Sequence, residues 1–383
     1  MVTKWRVEHI VILIFFASLA LAVTGLSYVR YAIYLMPLFS LILWLMSGAP
    51  RLCFSRENLP FVFLCALSLL SITEWDINIL KKIYFIYVFT VPFILFDFSR
   101  IRVDYRWVSL YLILLGIVNG VMRNRYGLGG EFSIAESRSF LESTFAFPLA
   151  MVSLYLLLSR RYFWSIVSFI FSVLFLKRVA ILAFVVGLLI SLLPRRIKAI
   201  ILSPSLLTLI VSGVVFLSIL FAQGYFDNYI FQYFDRSPND LSKGRQILWE
   251  SALRATKFDY GDFLFWGVGV GKVVTDLQFA LHVDRVLLHN DLLSLVLEVG
   301  IIPFIVFTYL LFNIRSHLGR LFAVFLAILF ATDNVMIYQH VMFVYLLIQS
   351  DIRRRSKEDL VRSAMGKERV EKLTGSAEQG VTG

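Results

Sequence analysis

Charge is scarce in this chain: Asp, Glu, Lys and Arg make up 16% of its 383 residues, against about 25% in an ordinary soluble domain. With 59% hydrophobic residues, a soluble globular class is excluded as the expectation. Cysteine is nearly absent. Cys53 sits in a short predicted cytoplasmic loop and Cys65 in a predicted span, so neither a disulfide framework nor a metal site is expected. Internal repeats are lacking. Acidic residues are the minority, and the net charge is +11. That excess does not point to nucleic acid, because most of the basic residues stand where a membrane protein needs them.

What is present is a succession of apolar runs, with mean hydropathy +0.78 over the whole chain. Each is able to cross a bilayer core of roughly 30 Å. Without water to satisfy the backbone, such runs must be helices. The expected fold class is an all-α polytopic membrane protein of about 12 transmembrane helices. They are placed at 9–29, 30–48, 60–74, 80–97, 107–122, 144–159, 162–176, 179–193, 199–222, 289–313, 319–333 and 335–350. The first run follows Lys4 and Arg6 with no small-residue cleavage site standing out and more spans close behind. It reads as a span rather than a signal peptide.

Alternate connections carry the basic residues, from Arg51 and Arg56 to Arg315 and Arg320, and the tail opens Arg353-Arg354-Arg355. Short basic loops stay cytoplasmic, which puts both termini inside. The expected organisation is one integral domain, 1–350, with a basic cytoplasmic tail, 351–383, partly disordered from about Gly375. Two external loops are long, 123–143 and 223–288. The second holds Trp249, Phe263 and Trp266, a composition for folded structure. Its segment Gly244–Phe258 spaces Ile247, Leu248, Ala252 and Leu253 as a short amphipathic helix.

Cations on the outer side run against the inside bias. Arg123, Arg125, Arg138, Lys177, Arg178, Arg236, Lys243 and Arg245 all fall there. Long loops are exempt from the charge rule, so Arg178 is the informative one. It lies in a very short turn between two apolar helices. An arginine near membrane depth costs a few kcal/mol unless paired. The turn offers no acid, which leaves Glu298, a loop carboxylate or a bound anion as partner. A diphosphate suits the planar guanidinium fork.

His289, with Asn290 and Asp291, opens a predicted span. Free N–H groups at a helix start favour anions and disfavour an imidazolium. The ring is expected to be neutral there and able to act as a general base on a hydroxyl. Glu298 falls two and a half turns later, on the opposite side from His289. It is expected in a structural ion pair, with an arginine as candidate partner. Gly267, Gly269 and Gly271 are no dinucleotide fingerprint, because no βαβ unit surrounds them. They predict a tight turn or a close backbone approach to a ligand.

Together these pieces resemble the bacterial O-antigen ligase and O-antigen polymerase superfamily. The pattern is Gly244-Arg245 before Trp249, then the Gly-x-Gly turn Gly267, Gly269, Gly271. His289-Asn290-x-x-Leu293 follows, with a downstream Glu298-x-Gly300, and a basic residue, here Lys177-Arg178, opens a span on the outer side. Lys177 departs from the family's frequent serine, and Pro303 stands where a second glycine is common. The resemblance implies a metal-independent, inverting GT-C-type glycosyltransferase of the bacterial inner membrane, with its site facing the periplasm and no cofactor. Its donor is a glycan on undecaprenyl pyrophosphate. Arg178, Arg245, Lys177 and Arg236 bind the diphosphate, His289 handles the acceptor hydroxyl, and Trp249, Asn290, Asp291 and Glu298 support. A chain-length regulator is a conceivable protein partner.

Polymerase is favoured over ligase by the His-Asn-Asp-x-Leu…Glu-x-Gly run. A transporter is the competing class. It is disfavoured because neither inverted repeats nor clearly broken helices are legible and the unusual chemistry collects on one side.

Overall fold

The computed structural model describes residues 6–24, 28–71, 76–125, 141–283 and 286–379. Every regular element among them is helical. In chain order they are α1 (Val7–Val23), α2 (Met36–Met46), α3 (Leu59–Leu70), α4 (Ile77–Leu95), α5 (Tyr105–Arg125) and α6 (Ala146–Leu158). Then come α7 (Tyr162–Leu174), α8 (Arg178–Leu192), α9 (Arg195–Ile201), α10 (Pro204–Ala222), α11 (Asp227–Phe234) and α12 (Pro238–Leu241). The last six are α13 (Arg245–Ala255), α14 (Lys272–Leu281), α15 (Asp291–Val299), α16 (Ile301–Phe312), α17 (His317–Phe330) and α18 (Gln339–Gln379). Short 3-10 turns lie at Val29–Leu35, Phe98–Arg100 and Val335–Ile337.

The centre is built from α6, α17 and the first half of α18. Residues Ala146 to Leu156 are all buried, and so are Val341 to Ile348. A helix apolar on every side belongs inside a bundle or a bilayer. Phe343 anchors α18, stacked on Phe15 and edge-on to Phe93. The peripheral helices face outward with apolar residues: α10 leaves Leu209, Phe216 and Leu217 exposed, and α8 leaves Leu189 and Leu192. Among the described residues two helices, over Tyr105–Met122 and Pro204–Ala222, are long and apolar enough to cross a membrane. Eight further apolar helices are 10–17 residues long, the longest about 26 Å at 1.5 Å per residue.

One expectation is corrected. The predicted span 289–313 is two helices, broken at Gly300, whose φ is +95°. In the tail, α18 continues to Gln379. Its Lys, Glu and Arg residues are good helix formers, and the helix is propagated from a buried first half rather than nucleated alone. Where α18 leaves the centre it is clamped by ion pairs. Asp351, buried, accepts from Arg354 Nε at 2.9 Å, Arg355 Nε at 3.1 Å and the Tyr155 hydroxyl. Arg353 pairs with Asp97 and Glu57.

Candidate functional site

The long connection 223–288 is folded over the bundle. Its helix α13 matches the amphipathic segment read from sequence, with Ala252 and Leu253 buried, though Ile247 is exposed. The glycine-rich stretch clasps the helix break. The Val268 and Gly269 N–H groups donate to the carbonyls of Leu297 and Glu298, both at 2.9 Å. In return, the Ile301 and Ile302 N–H groups donate to Phe263 and Leu264 carbonyls at 2.8 and 2.9 Å. The groups freed where α15 stops and α16 starts are therefore paired. A Cβ on Gly267 would lie 2.2 Å from the Leu297 carbonyl oxygen, and one on Gly300 would lie 2.8 Å from the Trp266 nitrogen. Gly271, at φ +90°, starts α14 beside Ile79. The close approach predicted for these glycines is thus to the protein's own helices. They do not line the cleft described next.

That cleft, about 440 Å³, lies between α8, α12–α13, the segment before α15 and the connection after α17. Lys177, Arg178, Lys243, Arg245, Trp249, His289 and Asp333 line it. Arg178 is the first residue of α8 and Arg245 the first of α13. With α15 starting two residues after His289, three helix N-termini open near the same cleft. Each carries roughly half a positive charge beside the side-chain cations. Lys177 Nζ is 2.6 Å from Glu142 Oε1. Arg236 is exposed and does not line the cleft; Lys243 stands there instead. Arg138 lies outside the described residues, while Arg123 and Arg125 close α5.

His289 is not in the first turn of a helix. It precedes the N-cap and has left-handed backbone, φ +53°. Asn290 is the cap, its Oδ1 accepting from the Leu293 N–H at 3.0 Å. Trp249 Nε1 donates to the Leu288 carbonyl at 2.8 Å, which fixes the chain just ahead of the histidine. The imidazole Nδ1 stands 3.3 Å from Asp333 Oδ1. An ionised carboxylate only accepts, so in a neutral ring the nitrogen facing it carries the proton and Nε2 is left with the lone pair. Asp333 lies in the connection after α17, outside both flanking helices. Burial pushes its carboxyl up, but the His289 contact, the Asn334 N–H and Lys177 outweigh this and hold it below the usual carboxylate range.

Two buried acids support the arrangement from behind. Asp291 Oδ2 accepts from the Met336 N–H at 2.7 Å, tying the His289 segment to the connection that bears Asp333. Glu298 forms the structural ion pair expected of it, but with Lys82 of α4 rather than an arginine, and Ser294 Oγ lies 2.9 Å from Lys82 Nζ. Glu298 is therefore not the partner of Arg178. Among the described residues no cluster of His, Cys, Asp and Glu could hold a metal ion.

Sequence reasoning missed Asp333, Lys82 and Glu142. Asp333-Asn334 does interrupt two apolar runs, and Lys82 is a charge inside a third. Those interruptions were the available signal. No protein-family model matches this chain, and no curated protein matches it.

Proposed function

We propose that this chain is a membrane-embedded glycosyltransferase that extends surface polysaccharide from a glycan carried on a polyprenyl diphosphate. The observation that carries the reading is the single cleft in which Lys177, Arg178, Lys243 and Arg245 face His289. Four cations and the positive ends of helices suit an anion with several oxygens, and guanidinium forks suit a diphosphate. The outward apolar faces of α8 and α10 support embedding in a bilayer, with the shorter helices completing up to twelve spans together with their flanking turns. In that topology the cleft opens on the periplasmic side of the bacterial inner membrane.

The chemistry follows from the geometry. The acceptor hydroxyl oxygen attacks the anomeric carbon while the bond from that carbon to the diphosphate oxygen breaks. The electron pair leaves with the diphosphate, whose growing charge Arg178, Arg245 and Lys243 stabilise. The hydroxyl proton passes to His289 Nε2, and Asp333 steadies the imidazolium that forms. Direct displacement inverts the anomeric centre.

The test is the glycan ladder on the surface polysaccharide of cells lacking the protein, rescued by wild type or by His289→Ala. A null that carries a single repeat unit on lipid A-core, rescued by wild type but not by His289→Ala, is the expected result. Loss of attached glycan with accumulation of lipid-linked polymer would instead mark a ligase. Full rescue by His289→Ala at normal expression would overturn this site and favour a transporter.

A further inference from the structure

A second cavity, of about 520 Å³ and lined mostly by polar side chains, lies at the start of α17 and against the middle of α18. Ser316 borders it just before α17 begins, whereas Thr332 and Asp333, just after α17 ends, border the His289 cleft. The fourteen residues of α17 separate the two by roughly 21 Å.

Its charge is unbalanced. Arg56, Arg315, Arg353 and Lys357 line it, against the single carboxylate of Glu57. Arg353 is engaged with Asp97 and Glu57. Arg56, Arg315 and Lys357 make no hydrogen bond or close ion pair among the described residues, though Lys357 acts electrostatically on the Asp97 carboxylate. These cations come from three separate parts of the chain: the segment before α3, the α16–α17 connection and α18. One buried donor in the wall, Arg353 Nε, makes no hydrogen bond. Arg56, Arg315 and Lys357 are all exposed, so water screens them from one another, and an anion entering the concave site would meet all three. Phe54, which lines the cavity, is 61% exposed.

We infer that this cavity binds a phosphate group, which Arg56, Arg315 and Lys357 hold from three sides. A phosphate presents several acceptor oxygens to two guanidinium forks and an ammonium. The group belongs either to an anionic phospholipid, whose acyl chains would run past Phe54, or to a soluble phosphate compound. The site differs from the His289 cleft in residues and in position. It stands even if the transferase reading fails.

The experiment uses the full chain purified in neutral detergent. Binding is measured by native mass spectrometry and by the shift in melting temperature, with phosphatidylglycerol in mixed micelles and, separately, with inorganic phosphate and glycerol phosphate. The variant is Arg56→Gln/Arg315→Gln/Lys357→Gln. The control, Arg195→Gln/Arg196→Gln/Lys198→Gln, removes equal charge from α9, which has no buried residues. The expected result is at least a ten-fold loss of affinity in the first and little change in the second. Loss confined to phosphatidylglycerol assigns a lipid headgroup; loss of glycerol phosphate or phosphate binding as well assigns a soluble ligand. Arg56→Lys/Arg315→Lys keeps the charge, so it is expected to retain binding and provides a folded comparison. Wild-type affinity in the triple variant, or an equal loss in the α9 control, overturns the inference.

Discussion

At the scale of single residues, the arrangement turns on the Asp333 carboxylate behind His289. Asp333→Asn replaces an obligate acceptor by an amide that can donate, which allows the ring to turn its lone pair toward the wrong side. On the proposed transferase reading, the expected outcome is a loss of about 10²- to 10⁴-fold in the rate of glycan polymerisation in membranes, with protein level unchanged. A rate within two-fold of wild type would remove Asp333 from the mechanism. Histidine 289 was legible because His-Asn-Asp sits directly before an apolar run, where a cap is expected. Its partner was not, because 44 residues separate the two and only the packing of α17 against its neighbours brings them together. Arg236 and Lys243 show the limit in another way. Both are cations in one long loop, and nothing in the residue types says which of them the fold of α12 and α13 turns into the cleft.

At the scale of elements, the break between α15 and α16 and its glycine clasp account for residues that a sequence reading assigns to a ligand. Gly267→Ala forces a methyl against the Leu297 carbonyl. The expected cost is about 1–3 kcal/mol, seen as a lower melting temperature in detergent with residual activity in the folded fraction. The Lys82–Glu298 pair is part of the same element. Its side chains are 17% and 2% exposed, and breaking a buried pair costs about 3–5 kcal/mol. Lys82→Met and Glu298→Gln are each expected to destabilise strongly, while the double replacement recovers part of the loss. A double variant that is fully stable yet inactive would show instead that Glu298 serves the chemistry. At the far end, Asp97 lies in the turn beyond α4. Burial raises its carboxyl, but the Ser99 hydrogen bonds and Arg353 prevail and lower it from 3.8. A carboxylate depressed in the folded state contributes stability above its unfolded value and loses it as pH falls through the folded one. The melting temperatures of wild type and Asp97→Asn are therefore expected to converge as pH drops below about 4. A gap that stays constant with pH would show that the ion pair contributes nothing.

At the scale of the molecule, the all-helical class was readable from hydropathy alone, because apolar runs with few charges have no other way to satisfy their backbone in a bilayer. Helix lengths were less readable. Two runs expected to reach about twenty residues, 9–29 and 30–48, close as helices of 17 and 11, since Pro, Gly and polar residues at their ends favour turns. The proposed topology places the His289 cleft and the cationic cavity on opposite sides of the membrane. After Cys53 and Cys65 are changed to serine, single cysteines at Ser242 and Ser356 test this. In spheroplasts an impermeant maleimide is expected to label the first directly and the second only after permeabilisation; labelling of both from one side would refute the topology. The clasp on α15 also bears on synthesis. Strands of loop at 263–269 leave the ribosome some thirty residues before the carbonyls and N–H groups of 297–302 that pair with them. Until those arrive, the loop has nothing to close on, and Asp333 comes later still. A nascent chain stopped short of α16 thus carries every cation of the cleft without the brace that sets its histidine, so the site is assembled late and nearly at once, after most of the chain has already been made.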